Sequence, residues 1–392
     1  MPLTVASDQP STFERSQPEG LLTLDFGTPP RAAAAAAIFA GEHPVQGVVG
    51  VDDDTAVVAA AIAERLGVRG NPPAAALAAR DKHRQRELLA RAGVPVPPFR
   101  LERIDRDPTL LADTLPYPCV LKPLRLAASR GVIRANGPAE FVAAFHRVAA
   151  ILAEPDVAAC GEPARQLLIE EFIGGPEFAL EGLLVAGRLR VLAVFDKPDP
   201  LDGPFFEETI YVTPSRLPGA AVDALTATAQ AAADALGLRE GPLHIELRYN
   251  ARGPWVIDLA ARPIGGRCSA VLRFVTPASQ GGGLVSLEEL VIRHALGFEL
   301  GSVEREPQAA GVMMIPVPGA GVLRAVQGLD AARAVPQVED VVISVHQGQR
   351  LVPLPEGARY PGFIFARGPT ARVVEGALRA AHGRLQFVLE ER

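Results

Sequence analysis

The residues best suited to chemistry lie in one stretch, His244-Ile-Glu-Leu-Arg-Tyr-Asn-Ala-Arg-Gly-Pro-Trp-Val-Ile-Asp-Leu-Ala-Ala-Arg262. Apolar and polar residues alternate in both halves, as in strands with one buried face. Ile245, Leu247 and Tyr249 fall on one side, with His244, Glu246 and Arg248 on the other; in the return run Ile257 and Leu259 oppose Asp258 and Arg262. A hairpin symmetrical about Arg252 sets Glu246 directly across from Asp258. Side chains so opposed have Cβ atoms ~4.5–5.5 Å apart, and two bare carboxylates there repel. A divalent cation removes the conflict. Mg²⁺ suits the pair, because it is usually held by one or two carboxylates together with water and substrate phosphate. Arg262, on the same face as Asp258, is placed to reach a transferring phosphate. The same pattern also fits a solvated acidic face whose acids are paired by Arg248 and Arg262.

Two lysines are candidate phosphate contacts. Lys82 follows Asp81 at a helix start, and Lys122 closes the apolar run Tyr117-Pro-Cys-Val-Leu-Lys122, where an unpaired ammonium is costly. The next loop carries Ser129-Arg130-Gly131, a phosphate-cradle pattern that an ordinary turn also produces. Leu167-Leu-Ile-Glu-Glu-Phe-Ile-Gly-Gly-Pro-Glu177 runs from an apolar strand into acids and breaks at two glycines and a proline. Such a break leaves backbone donors and acceptors available to a flat base edge. His244 reads as a hydrogen-bonded structural histidine and Lys197 as a lysine of a solvated loop. Cysteines, serines and histidines form no recognisable triad.

The elements that position these residues follow from periodicity. Residues 1 to about 20 read as irregular, Leu21 to Phe26 as a strand, Ala32 to Ala40 within a packed helix, Val45 to Val51 as a second strand, and Thr55 to Leu66 as a helix stopped by Gly67. This βαβα order predicts a small parallel-sheet unit, and no GxGxxG follows its first strand. Asp81 caps a helix to Ala92, and the Pro95, Pro97, Pro98 cluster reads as a linker. Strands follow at Cys119 to Lys122, Leu167 to Glu170, Glu177 to Val185 and Arg188 to Phe195, with an amphipathic helix from Ala139 to Leu152. From Gly311 the order is β-α-β-β-α-β, a split ferredoxin-like arrangement. The expected division is 1–97, 98–310 (lobes about 98–173 and 174–310) and 311–392.

The chain has 392 residues, 48% of them hydrophobic and 21% charged, which is enough for two or three cores and outside the disordered regime. A formal net charge of -6 argues against a nucleic-acid partner, since phosphate neutralisation needs clustered cations. Cys119, Cys160 and Cys268 are widely spaced without a CxxC pair, which fits a reducing cytoplasm. The N-terminus lacks the basic start and apolar core of a signal peptide, and the alanine-rich run is too short to cross a bilayer.

Taken together, the motifs resemble the ATP-grasp superfamily. Asp81-Lys82 with Leu88-Leu-Ala-Arg-Ala-Gly-Val-Pro-Val-Pro97, the Tyr117 to Lys122 strand, Glu170-Glu-Phe-Ile-Gly-Gly-Pro-Glu177, and Glu246 with Asp258 occur in that family's order. The resemblance implies an N-terminal α/β domain, a two-lobed ATP-grasp core and a C-terminal β-α-β-β-α-β subdomain. It assigns Lys82 and Lys122 to ATP phosphates, beside the ATP-binding candidates Ser129, Arg130 and Gly131 of the cradle pattern, Glu170, Phe172 and Ile173 to the adenine hinge, and Glu177 to the ribose. It makes Glu246 and Asp258 ligands of Mg²⁺, two ions in the family, and has Arg262 with the Gly265-Gly266 turn stabilise an acyl phosphate. Glu208 becomes an anchor for a substrate amino group. Many members carry Glu-x-Asn where this chain has Asp258-Leu-Ala260, so the Asn ligand is missing. The Asp-x-Ala-Ala-Arg form, with Gly311-Val-Met-Met-Ile-Pro316 and Tyr360-Pro-Gly-Phe-Ile-Phe-Ala-Arg367, looks like the L-amino acid ligase branch. The implied activity is ATP-dependent coupling of a carboxylate to an amine, both small molecules and amino acids by this resemblance, in a homodimer. Rival readings are a carboxylase-like or phosphoribosyl-type ligase, and a nucleotide-binding regulator without turnover.

Overall fold

A computed structural model describes residues 2–14, 16–277 and 283–390. Residues 1 and 15 of the N-terminal segment and the last two of the C-terminal block lie outside that description. The first unit is smaller in strand content than its sequence pattern predicts. Leu21–Thr23 pairs in parallel with Val5–Ser7, a strand inside the segment expected to be irregular. Helices Pro29–Glu42 and Asp53–Leu66 pack there through Ala32, Ala36, Val58 and Ile62. The expected strand from Val45 to Val51 does not form. Its backbone is committed elsewhere: the N–H groups of Val51 and Asp52 donate to Thr55 Oγ1, completing the helix cap. Gly50 also lies so close to the backbone of Thr55 and Ala56 that a Cβ would fall 2.6 Å from it.

Beyond the linker, a four-stranded antiparallel sheet runs Phe99–Arg103, Gln166–Glu171, Cys119–Pro123, Ile133–Ala135. Helix Pro138–Leu152 covers it, burying Phe141, Phe145 and Val148 on the predicted stripe. The hairpin heads a larger sheet of eight strands, in the order Gly253–Ala260, Gly241–Asn250, Glu177–Val185, Arg188–Lys197, Ile210–Thr213, Ala309–Met314, Gly362–Gly368, Val338–Ile343. Ala186 and Gly187, with φ of 50° and 83°, make the tight turn between the third and fourth.

The C-terminal block contains the six elements in the predicted order, with Gly321–Gln327 and Arg350–Leu351 as further strands. Its pairing differs from a split ferredoxin-like sheet. The last strand, Gln386–Glu390, leaves to pair with Gly321–Gln327, and Ile210–Thr213 takes the place beside Ala309–Met314. Burial explains the exchange. All four residues of Ile210–Thr213 are buried, as an interior position requires, whereas Gln386–Glu390 has no buried residue.

The two sheets face each other across a cleft and are tied at its base by helix Lys82–Arg91, capped by the Asp81 carboxylate on the N–H of Arg84. From this helix the fully buried Arg86 donates to Glu170 Oε1 at 2.5 Å in the small sheet and to the carbonyl of Ile257 in the hairpin. Gln85 adds hydrogen bonds to the carbonyls of Ala79 and Leu259. Removing one partner of a buried ion pair strands the other charge, at a cost of about 3–5 kcal/mol. Arg86→Met is therefore expected to lower unfolding stability by that amount in urea titration, with Arg86→Lys recovering only part, because an ammonium cannot span both partners.

Candidate active site

The cleft encloses about 270 Å³ and is lined by Lys82, Lys122, Ser129, Glu170, Phe172, Ile173, Glu177, Glu208, Glu246, Asp258, Arg262, Gly265 and Gly266. Two residues expected there are not. Arg130 turns away to Glu154 and Asp156, at 2.5 and 3.0 Å, and the Gly131 N–H donates to the carbonyl of Pro355 at 2.8 Å. The cation that the loop does present to the cleft is Arg125, whose buried Nε has no hydrogen-bond partner among the described residues.

Glu246 and Asp258 are direct cross-strand partners, by a route different from the one the sequence suggested. The turn holds only Ala251 and Arg252, between Asn250 and Gly253, so its register alone would offset the two acids. A bulge between Glu246 and Leu247 restores their opposition. Each carboxylate meets an ammonium: Asp258 Oδ2 lies 3.3 Å from Lys82 Nζ, and Glu246 Oε1 accepts from Lys197 at 2.9 Å. Neither Arg248 nor Arg262 pairs these acids. Arg248 donates to Glu177 at 2.9 Å and to the carbonyl of Ile173 at 2.7 Å, and Arg262 grips Asp53 through Nε at 2.9 Å and Nη2 at 3.3 Å.

On the small-sheet side, Lys122 Nζ meets Glu170 Oε2 at 2.7 Å, while Arg86 holds the other oxygen. Although burial opposes it, the charges of Arg86 and Lys122 keep the Glu170 carboxyl below its ordinary pKa. Phe172 lies under the guanidinium groups of Arg134 and Arg248, 4.0 and 4.8 Å from its ring centre. His244 is buried between two carboxylates, with Nε2 3.6 Å from Glu246 Oε1 and Nδ1 3.7 Å from Glu181 Oε2; Nδ1 makes no hydrogen bond among the described residues.

Comparison with known proteins bears on this arrangement. Residues 115–271 match the model of the ATP-grasp domain, and residues 313–390 that of the L-amino acid ligase C-terminal domain 2. An L-amino acid ligase from Bacillus licheniformis has a crystal structure that superposes with a TM-score of 0.74 at 27% identity, over 95% of this chain and 88% of that one. Residues 115–271 are thus an ATP-grasp domain, followed by an L-amino acid ligase C-terminal domain. The chain is also 32% identical to dapdiamide A synthase of Enterobacter agglomerans over 191 residues, 48% of this chain and 43% of that one. With alanine–anticapsin ligase of Bacillus subtilis strain 168 it shares 29% over 215 residues, 52% and 45% of the two. The chain thus spans less than half the length of these two curated relatives.

A dense charge cluster beside the hairpin was not legible as such. Lys197, expected in a solvated loop, ends a strand with its side chain only 3% exposed. Its ammonium lies 2.8 Å from Glu177, 2.9 Å from Glu208 and 2.9 Å from Glu246. Oxygens of these three acids come within 4.8 Å of one another, and the lysine between them supplies the cation that their spacing invites. Burial would lower the lysine, but the three carboxylates outweigh it and raise its pKa well above the usual value. Arg248 shares Glu177 with the lysine, and the other two acids divide the remaining charge unequally. Burial, with the repulsion of Glu246, pushes Glu208 up to about 7; Glu246 is held well below the ordinary range by Lys197 and His244 despite its burial.

Asp53, Arg125 and Lys197 are the site residues that sequence reasoning missed. Arg125 had a signal, standing three residues beyond Lys122 in the same loop. Asp53 had none, since an acid in the first turn of a helix is ordinary capping chemistry. Two outcomes follow from the charge cluster. Lys197→Met leaves three buried acids facing one another, and a loss of about 3–5 kcal/mol is expected in urea unfolding, partly restored by millimolar Mg²⁺. Glu208 binds a proton in the fold up to about pH 7 but only up to about 4.5 when unfolded, so its contribution to stability falls as pH rises through that window. The wild-type urea midpoint should decline relative to that of Glu208→Gln between those two pH values.

Proposed function

We propose that this chain is a ligase that uses Mg-ATP to convert the carboxylate of one amino acid to an acyl phosphate and joins it to the amine of a second, releasing ADP and phosphate. The observation that carries the reading is the pair Glu246 and Asp258, opposed across the hairpin, with Lys82 against Asp258 and Lys122 across the same cleft. The donor set fits Mg²⁺, being all oxygen, two carboxylates strong and the remaining positions left to water and phosphate. Bound there, the ion would neutralise charge on the phosphates as the γ-phosphoryl moves. Ala260 offers no third side-chain donor, so a second ion of the family pattern would lean on phosphate and water.

The chain's own residues supply position and charge. Lys82, Lys122, Arg125 and Ser129 gather the phosphates. Glu170, Phe172 and Ile173 form the adenine hinge, the first locked by two cations. Glu177 serves the ribose with the lone pairs that Lys197 and Arg248 leave free. Arg262 passes from Asp53 to the developing acyl phosphate at the Gly265-Gly266 turn, where Gly266 has φ of 59° and no room for a Cβ beside Met314. No protein nucleophile enters, and the amine attacks the acyl phosphate directly. In this reading residues 1–97, 98–310 and 311–392 are the three parts of the enzyme. It works in the cytoplasm, in keeping with the lack of any helix among the described residues long and apolar enough to cross a membrane.

The test is a screen of paired amino acids for ADP and phosphate release, with product mass as the second readout. Electrostatic stabilisers at a transferring group are worth about a hundred- to a thousandfold in rate. Glu246→Gln and Asp258→Asn should each lose at least about that much Mg-dependent turnover while remaining folded by circular dichroism, and chelation by EDTA should abolish the wild-type rate. Nucleotide hydrolysis indifferent to every amine, or full activity in both variants, would reject the ligase reading.

A further inference from the structure

The C-terminal block reaches the cleft with side chains whose chemistry the hinge, the lysines and the hairpin leave unused. Tyr360 lines the cavity together with Glu208, and its hydroxyl is buried without a hydrogen-bond partner among the described residues. A buried hydroxyl left unpaired costs free energy, and in a residue that lines a cavity it points to a polar group that the cavity receives. The backbone N–H of Glu208 lies close enough to act on it, without closing a hydrogen bond of normal geometry. The residue is held from both sides: the Tyr360 carbonyl accepts from Ser344 Oγ at 2.9 Å, and its ring packs on Phe363 with centroids 6.3 Å apart. Burial and the charges of Glu208 and Glu207 push the phenol well above its ordinary pKa, so the group is a neutral hydroxyl.

The same block fixes Glu208 itself. The N–H of Met314 donates to the Thr209 carbonyl at 2.8 Å, and the N–H of Val317 to Glu207 Oε1 at 2.9 Å, so both neighbours of Glu208 are pinned by C-terminal backbone. A carboxylate that holds an ammonium keeps it protonated and unreactive, because the lone pair needed for attack is occupied. The amine anchored at Glu208 is therefore the one that does not react, the α-amino group of the acyl donor. An ammonium has three donors, and the Glu208 carboxylate accepts one or two of them.

We infer that the Tyr360 hydroxyl accepts a hydrogen bond from the α-ammonium of an amino acid held at Glu208, which makes the C-terminal block a wall of the substrate site. This rests on the ligase reading for the presence of an amino acid in the cleft, and binding measurements separate the two. Full-length wild type and Tyr360→Phe are titrated calorimetrically, in Mg²⁺ and a non-hydrolysable ATP analogue, with single amino acids and with the matching carboxylates that lack the amino group. A hydrogen bond to a charged group lost by removing one oxygen corresponds to about a tenfold weaker Kd. That loss is expected for amino acids only, with the ATP analogue bound equally, the thermal midpoint kept and the des-amino carboxylates unaffected. Equal Kd values for amino acids in both proteins would overturn the inference, as would an equal loss for the des-amino compounds. A wild type that binds no amino acid would overturn the inference and the ligase reading together. A tenfold loss in a protein that turns over no amino-acid pair would sink the ligase reading alone and leave Tyr360 as an amino-acid contact.

Discussion

A buried ammonium needs carboxylates, and around Lys197 that need organises the whole cleft. The lysine ends one strand, Glu177 opens the strand beside it as its direct partner, Glu246 lies in the hairpin, and Glu208 comes from the loop before Ile210–Thr213. Four chain segments therefore meet at one charge. In a low-dielectric site each unpaired member would cost several kcal/mol, so the four close together or not at all. A one-residue slip in any of the strands would turn its charged side chain to the opposite face of the sheet and break the cluster.

The same economy of charge runs through the rest of the site. Lys82 rests on Asp258, Lys122 on Glu170 and Arg262 on Asp53, so most cations in the cleft have an internal carboxylate. A polyanion entering such a site exchanges partners with residues already in place and does not have to order loose side chains. Electrostatic preorganisation of this kind is what phosphoryl transfer asks of a protein, since the reaction needs little covalent help. Among the described residues Arg125, with its buried unpartnered Nε, is the exception, and it stands in the loop that follows Lys122.

The C-terminal block shares the sheet that carries these groups. Ala309–Met314 pairs with Ile210–Thr213, so eight strands from the hairpin to Val338–Ile343 form one continuous surface. An anchor such as Glu208, between a loop and that surface, gains its rigidity from both halves. Tight packing of Met314 against Gly266 carries the same coupling to the turn beside Arg262.

Sequence alone determined what depends on local period and on side-chain chemistry. Alternation placed the hairpin and its acids, the helical stripe placed Phe141 to Leu152, and charge at the end of an apolar strand singled out Lys122. Motif order was enough to imply the ATP-grasp fold. Only the tertiary structure decided matters that turn on which segments become neighbours. The bulge at Glu246, the failure of Val45 to Val51 to find a partner, the diversion of Gln386–Glu390 and the burial of Lys197 all depend on contacts between residues far apart in the chain. A lysine beside a proline reads as exposed because a lone ammonium prefers water. Three carboxylates delivered by distant strands reverse that preference, and no local pattern records their arrival.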